Sequence, residues 1–368
     1  MTAAVVLFEE RQAGSKKIAI ATLNVEKTLN SLSLAMVELL TPQLQAWADD
    51  DAVACVFLQG AGDKAFCAGG DVVALHNGSA AYGEELPSSY CTEFFEQEYR
   101  LDYLIHTYAK PLIVWANGIV MGGGLGLMSG ASHRVVTEST RMAMPEITIG
   151  LYPDVGGTWF LNRAPGRSGL FLGLTGANIN ASDAIFIGYA DRLIKHDQKS
   201  ALLDALVDTD WAADSADNLV EHLLARFEES FDGDKPADNV AQHMDWINTV
   251  TQGDDLLGII EAITSYSGDD SWCQRAARTL ASGCPVTPFL VWEQLARGKD
   301  MTLADVFRME LTMSSNCARL GHFKEGVRAL LVDKDRSPQF VPASFAEVTP
   351  AMVEAHFEMS DVNPLSDL

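Results

Sequence analysis

A layered α/β core followed by a helical region is the fold class this 368-residue chain predicts. Three observations predict it. Short apolar segments alternate with amphipathic ones up to about residue 195, helix follows helix after that, and glycine and proline punctuate the changeovers.

Lys17–Asn24 (KIAIATLN) reads as a strand. Ser33–Ala48 has apolar residues at helical spacing, with Ser33 placed to cap the first turn. Val53–Gln59 is a strand ending at Gly60 and Gly62, Tyr90–Tyr108 a long aromatic-rich helix, and Pro111–Asn117 a buried strand. Gly123–Ser129 is a short helix, and His133–Thr137 and Arg141–Met144 are short strands. The later helical segments are Leu202–Phe231, Leu256–Ser265, Trp272–Ser282, Thr287–Arg297, Leu303–Cys317 and Phe323–Val332, with Asp232–Asp238 a loop. The expected organisation is a core over 1–195 and a helical region over 196–368.

Composition narrows the function classes. The formal charge of −24 argues against nucleic acid and anionic membranes as main partners, and no apolar run is long enough to span a bilayer. The N-terminus lacks the pattern of a secretion signal or transit peptide, which predicts a cytoplasmic protein or a mature form already cut. The six cysteines are dispersed with no CxxC pair, so reduced thiols are expected, and no histidine spacing suggests a metal. Residues 197–270 carry eighteen acids against three lysines or arginines, a pattern that fits a solvated helical surface.

The chemistry concentrates in Asn117–Thr158. Gly122, Gly123 and Gly124 remove side chains where backbone N–H groups can meet a ligand, and a helix starting there adds partial positive charge. Glu146 and Asp154 follow, each after a proline. Backbone donors with two acids are the parts needed to polarise a carbonyl and attack it. No GxSxG is present, and the third glycine of a dinucleotide-binding turn is missing after Gly124-Leu125-Gly126.

Lys64-Ala-Phe-Cys-Ala-Gly-Gly-Asp71 and Asn117-Gly-Ile-Val-Met-Gly-Gly-Gly124, about fifty residues apart, resemble the crotonase (enoyl-CoA hydratase/isomerase) superfamily. Ala143–Gly157, Phe323–Pro338 and, less strongly, Phe94–Tyr99 are similar to its 3-hydroxyisobutyryl-CoA hydrolase branch. The resemblance covers roughly residues 15–195 and 283–356. It implies a crotonase-like spiral of repeated β-β-α units in two stacked sheets, with a helical C-terminal part packed over the active site.

What the resemblance implies for chemistry is thioester hydrolysis. The expected reaction converts 3-hydroxyisobutyryl-CoA to 3-hydroxyisobutyrate and CoA, a step of valine breakdown. Matching motif to motif, the amides of Gly70 and Gly123 hold the thioester oxygen. Hydratases of the superfamily place a glutamate two residues after the glycine run; here that position is Gly126, which weakens the alternative of an enoyl-CoA hydratase or isomerase. Glu146 is left for the attack, either on the carbonyl to give an anhydride or on water as a general base, and Asp154 for positioning or proton return.

Glu98 matches a glutamate lining the substrate site of the hydrolase branch, and Lys64, Ala68, Lys324 and Arg328 are candidates for contacting CoA. Asp71 and Asn117 are expected to tie loops together, Cys67 to be a small buried residue, and Phe94, Phe95, Tyr99 and Tyr103 to be core. Trp159 and Phe160 have the better claim on the acyl pocket. No cofactor is expected, since CoA is part of the substrate. Self-association is expected from a superfamily of trimers and hexamers, in smaller assemblies if the longer C-terminus caps its own subunit.

Overall fold

The strands expected in the first half form within a residue or two of their expected positions. The computed structural model describes residues 4–81, 89–359 and 362–368. Among them the strands are β1 (Val6–Ala13), β2 (Lys16–Leu23), β3 (Val53–Gly60), β4 (Ala65–Cys67), β5 (Leu112–Ala116), β6 (Ile119–Met121), β7 (His133–Val136), β8 (Arg141–Ala143), β9 (Ile179–Asn180) and β10 (Arg192–Leu193). The chain divides into two units. One comprises Met1–Gly70, Leu101–Met142 and Ile179–Asp238; the other comprises Asp71–Arg100, Ala143–Asn178 and Asn239–Leu368.

The first unit holds a six-stranded sheet in the order β1-β2-β3-β5-β7-β10 and a four-stranded sheet in the order β4-β6-β8-β9. β1 pairs antiparallel with β2, while β2, β3, β5, β7 and β10 run parallel. Parallel strands are covered on both faces and therefore read as continuous apolar runs, as in VACVFL and LIVWA. One face presents Ile18, Ile20, Cys55, Phe57, Ile113, Trp115 and Val135 to Leu202, Leu203, Leu206, Val220, Leu223 and Leu224.

Those leucines and valine come from the acidic stretch, so its helices cover the sheet with their apolar stripes. The expected single helix Leu202–Phe231 is two, Lys199–Val207 and Ala216–Glu229. Ser215 starts the second by accepting from the Asn218 amide, and Trp211 between them donates to the Leu206 carbonyl at 3.2 Å.

In the same unit, the loop after β4 packs against the glycine run. A Cβ on Gly124 would lie 2.2 Å from the Cys67 carbonyl oxygen, so only glycine lets helix Gly123–Ser129 approach this closely. Gly69, at φ 105, returns the loop through a Leu32 amide bond to its carbonyl of 2.8 Å. Asn117 donates to the Asp63 carbonyl at 3.1 Å and ties the two motifs, and Cys67 is buried, both as expected.

The second unit is built from helices, as expected of most of its sequence. Phe171 packs edge-on to Trp246 and beside Trp272, whose indole donates to the Asn178 carbonyl at 2.6 Å. Helix Leu303–Arg319 turns a buried stripe of Val306, Phe307, Glu310, Leu311 and Ser314 inward. The C-terminal motif forms helix His322–Val327 and a π-helical turn, Arg328–Val332. Gly326 lets that helix meet the Glu146–Ile149 turn, since a Cβ there would sit 2.3 Å from the Ile149 carbonyl carbon.

Candidate active site

The second unit gathers four buried carboxyl groups. Glu146 opens a 3₁₀ turn, Glu146–Ile149, ended by Gly150 in the left-handed region at φ 71. The Cys284 amide on the Ile147 carbonyl (2.8 Å) and the Thr287 hydroxyl on the Leu151 carbonyl (2.7 Å) fasten the stretch around it. Glu146 is 5% exposed, Asp154 4%, Glu98 2% and Glu310 0%.

Their partners differ. Asp154 accepts from the Tyr99 hydroxyl at 2.6 Å, and Tyr99 also meets Ser314 at 2.6 Å. Tyr152 donates to the Glu310 carbonyl at 2.7 Å and meets the same serine at 2.9 Å. Glu310 accepts from the amides of Gly156 (2.7 Å) and Thr158 (2.9 Å). Glu146 Oε2 and Glu98 Oε1, by contrast, are buried with no hydrogen-bond partner among the described residues. A buried polar oxygen left unmatched is costly and marks a place where a ligand atom or water belongs.

Electrostatics separates the acids further. Burial, with repulsion from Asp154 and Glu98 behind it, pushes Glu146 well above the usual carboxyl range. Burial and then Asp154 do the same to Glu98. Asp154 is pushed by burial only to about 6, because the Tyr99 hydroxyl favours its charged form. Glu310 rises to about 8 by burial, against the two amides that hold it down.

These shifts fix a stability slope. The folded chain keeps protons on these groups at pH values where the unfolded chain, near 3.8 for Asp and 4.5 for Glu, has lost them. The stabilisation is full at low pH and is lost as pH rises through about 6 for Asp154 and about 8 for Glu310. Thermal unfolding followed from about pH 5 to about pH 8.5 is therefore expected to show a falling midpoint. A flat or rising midpoint over that window would contradict the protonation pattern.

Gly70 bridges Leu32, and Gly123 heads helix Gly123–Ser129, where a first-turn amide has no carbonyl one turn back. Both lie in the first unit. Lys64 is exposed, and Ala68 is half-buried with its amide on the Leu29 carbonyl at 3.0 Å. Lys324 is exposed on helix His322–Val327. Arg328 is held by Glu325 (2.7 Å), Asp333 (2.6 Å) and Asp335 (2.7 Å), which close the turn after the C-terminal motif. Asp71 caps helix Val72–Ala81 by accepting from the Ala74 amide at 3.1 Å.

Tyr99 is buried in the core, as expected, and carries a contact that the core reading did not include. Its ring does pack between Phe95 and Phe307, but its hydroxyl reaches Asp154. Glu310, Ser314 and Tyr152 were not anticipated at all. One signal for Glu310 was available: an acid on the apolar stripe of a helix is rarely solvated. The Arg163 guanidinium lies over the Trp159 ring, its Cζ 3.2 Å from the ring centroid. His243, Asp270 and Cys273 gather potential ligand atoms within 4.8 Å of one another, a grouping that helix capping by Asp270 and stacking of His243 on Trp272 account for.

The sequence matches the family described as Enoyl-CoA hydratase/isomerase over residues 18–357, and the chain belongs to that family. Within it, the chain is 37% identical over 362 residues to the protein named 3-hydroxyisobutyryl-CoA hydrolase, mitochondrial, of Danio rerio, covering 98% of this chain and 91% of that one. Among solved structures, a carnitinyl-CoA dehydratase from Mycobacterium thermoresistibile superposes with a TM-score of 0.84 at 37% identity, over 98% of each chain. An enoyl-CoA hydratase from Rhodobacter sphaeroides gives 0.82 at 31% identity, over 97% of this chain and 98% of that one.

Proposed function

We propose that this chain hydrolyses short hydroxyacyl-CoA thioesters, with 3-hydroxyisobutyryl-CoA as substrate and 3-hydroxyisobutyrate and CoA as products. The observation that carries the reading is the Glu146 carboxyl, buried beside Asp154 with one oxygen unmatched. The amides of Gly70 and Gly123 hold the thioester oxygen, and negative charge developing there is stabilised by donors that need no reorganisation. Glu146 delivers the attack, on the carbonyl carbon or through water. Burial and mutual repulsion keep a proton on the group of acids at neutral pH. Asp154, pushed only to about 6, carries the charge at neutral pH and Glu146 the proton; passing that proton to Asp154 as substrate binds frees Glu146 to attack and leaves Asp154 to protonate the departing thiolate. Glu98 faces the acyl group, and Lys64, Ala68 and Lys324 contact CoA. The cytoplasmic location belongs to the same reading, set against relatives whose names place them in mitochondria.

A second reading, hydration of an enoyl-CoA, draws on the names of the two solved structures. Gly126 stands against it, because it has no carboxylate to share in positioning water. The test is a panel of short acyl-CoA esters, with and without a 3-hydroxyl, assayed for free thiol and for enoyl absorbance. The hydrolase reading expects thiol release, fastest with the 3-hydroxy esters. Loss of enoyl absorbance without thiol would overturn it.

A further inference from the structure

We propose that Glu310 is a positioning residue: it holds the Asp154–Thr158 turn in a left-handed form that the turn's own sequence disfavours, and so aims Asp154. The inference rests on the hydrolase reading of Asp154 given above.

The turn is strained at one residue. Val155 sits at φ 52 and is 1% exposed. A β-branched side chain is a rare occupant of that region and persists there only when its surroundings over-determine it. Left to itself, the backbone between Asp154 and Gly156 would relax to negative φ and swing the Asp154 side chain away.

Glu310 supplies the restraint. One carboxyl oxygen takes the Gly156 amide at 2.7 Å and the other takes the Thr158 amide at 2.9 Å, so both sides of the group face the turn. These amides head the helix Gly157–Leu161, whose cap residue, Gly156, has no side chain to satisfy them. Gln294 grips the other side, donating to the Pro153 carbonyl at 2.7 Å and the Thr158 hydroxyl at 3.0 Å. The Gly157 amide closes on the Asp154 carbonyl at 2.7 Å. One turn along Glu310's own helix, Ser314 meets Tyr99, the donor to the Asp154 carboxylate. A single helix thus sets both the backbone and the carboxylate of Asp154. Glu310 acts through the turn, by its amides.

Asp154 faces Glu98 and Tyr99 from helix Ser89–His106, Glu146 and Tyr152 from its own stretch, and Glu310 and Cys317 from helix Leu303–Arg319. Displacing Asp154 from the Tyr99 hydroxyl removes the contact that favours its charged form, so the acid limb of the pH–rate profile moves to higher pH.

The experiment measures thiol release from 3-hydroxyisobutyryl-CoA by the full chain across a pH series. Glu310→Gln keeps the shape but sets an amide N–H₂ against a backbone N–H. It is expected to lower kcat by about 10- to 100-fold with KM changed by less than about 2-fold, and to move the acid limb upward. Val155→Gly relieves the strain, so adding it to Glu310→Gln is expected to restore at least about 3-fold of the lost kcat and return the limb toward the parent position. A purely structural acid predicts neither the limb shift nor this rescue. Should Glu310→Gln alone not fold, the double variant is expected to fold and turn over. The proposal is overturned by a Glu310→Gln enzyme with parental kcat and pH profile, or by a Val155→Gly that gives no rescue in that background. Asp154→Asn is run alongside. If it keeps parental kcat, the hydrolase reading of Asp154 fails, whatever Glu310 does. If it loses kcat while Glu310→Gln does not, only the present inference fails.

Discussion

Glu146→Gln is expected to lower kcat for thiol release by about 10³-fold, the middle of the range for removing a positioned acid–base group, and to leave KM within a few-fold. Gln preserves the volume and one oxygen of the side chain, so the turn Glu146–Ile149 and its contacts with helix His322–Val327 stay in place. What it removes is a carboxylate that can attack or take a proton. Folding should not suffer. Glu146 is a buried carboxyl whose charged form is disfavoured by burial and by Asp154, so a neutral amide leaves stability unchanged below the unfolded value of 4.5 and raises it progressively as pH climbs above that. Activity and stability therefore move in opposite directions, which separates a chemical role from a structural one. Circular dichroism melts and thiol titration on the same preparation measure both. A variant that keeps a tenth or more of parental kcat would remove Glu146 from the chemistry. Hydroxylamine trapping in the parent separates the two routes: only an anhydride yields a hydroxamate at Glu146.

The strands of the parallel sheet were legible because both their faces are buried, which leaves continuous apolar runs such as IAIA and LIVWA. β1 escaped notice because an edge strand can carry exposed charge: its VLFEERQA is mostly solvent-facing and lacks any such run. β4 and β6 are three residues each, too short for any periodicity to appear. The break between Val207 and Ala216 was masked because Leu206, Val220 and Leu223 serve one apolar face from two helices. For the site, Glu98, Glu146 and Asp154 were legible from motifs, and all three are buried in the second unit. Tyr99 was not, because a tyrosine at helical spacing looks like core and only its hydroxyl belongs to the site. Glu310 lies 156 residues after Asp154, and nothing local links a glutamate on a late helix to the amides of Gly156 and Thr158. Long-range hydrogen bonding to backbone leaves little trace in sequence, whereas helix capping by Ser33 or Ser215 is local and was partly readable.

Gly124→Ala is expected to produce the second large loss, by a different route. The added methyl would lie 2.2 Å from the Cys67 carbonyl oxygen and 2.9 Å from its carbonyl carbon. Backbone atoms cannot step aside as a flexible side chain can, so the helix Gly123–Ser129 must move away from the Cys67–Gly70 loop. The overpacking costs about 1–3 kcal/mol of stability. The same displacement moves the Gly123 amide relative to Gly70. Loss of one oxyanion donor costs about 3 kcal/mol of barrier, so kcat is expected to fall by about 10²-fold even in the fraction that remains folded. KM should change less, since the effect falls on charge that develops only as the carbonyl is attacked. The measurement is kcat well below the melting midpoint, corrected for the folded fraction from the same sample. A folded Gly124→Ala enzyme with parental kcat would mean that the glycine run serves packing alone, and the two amides would lose their part in the reaction.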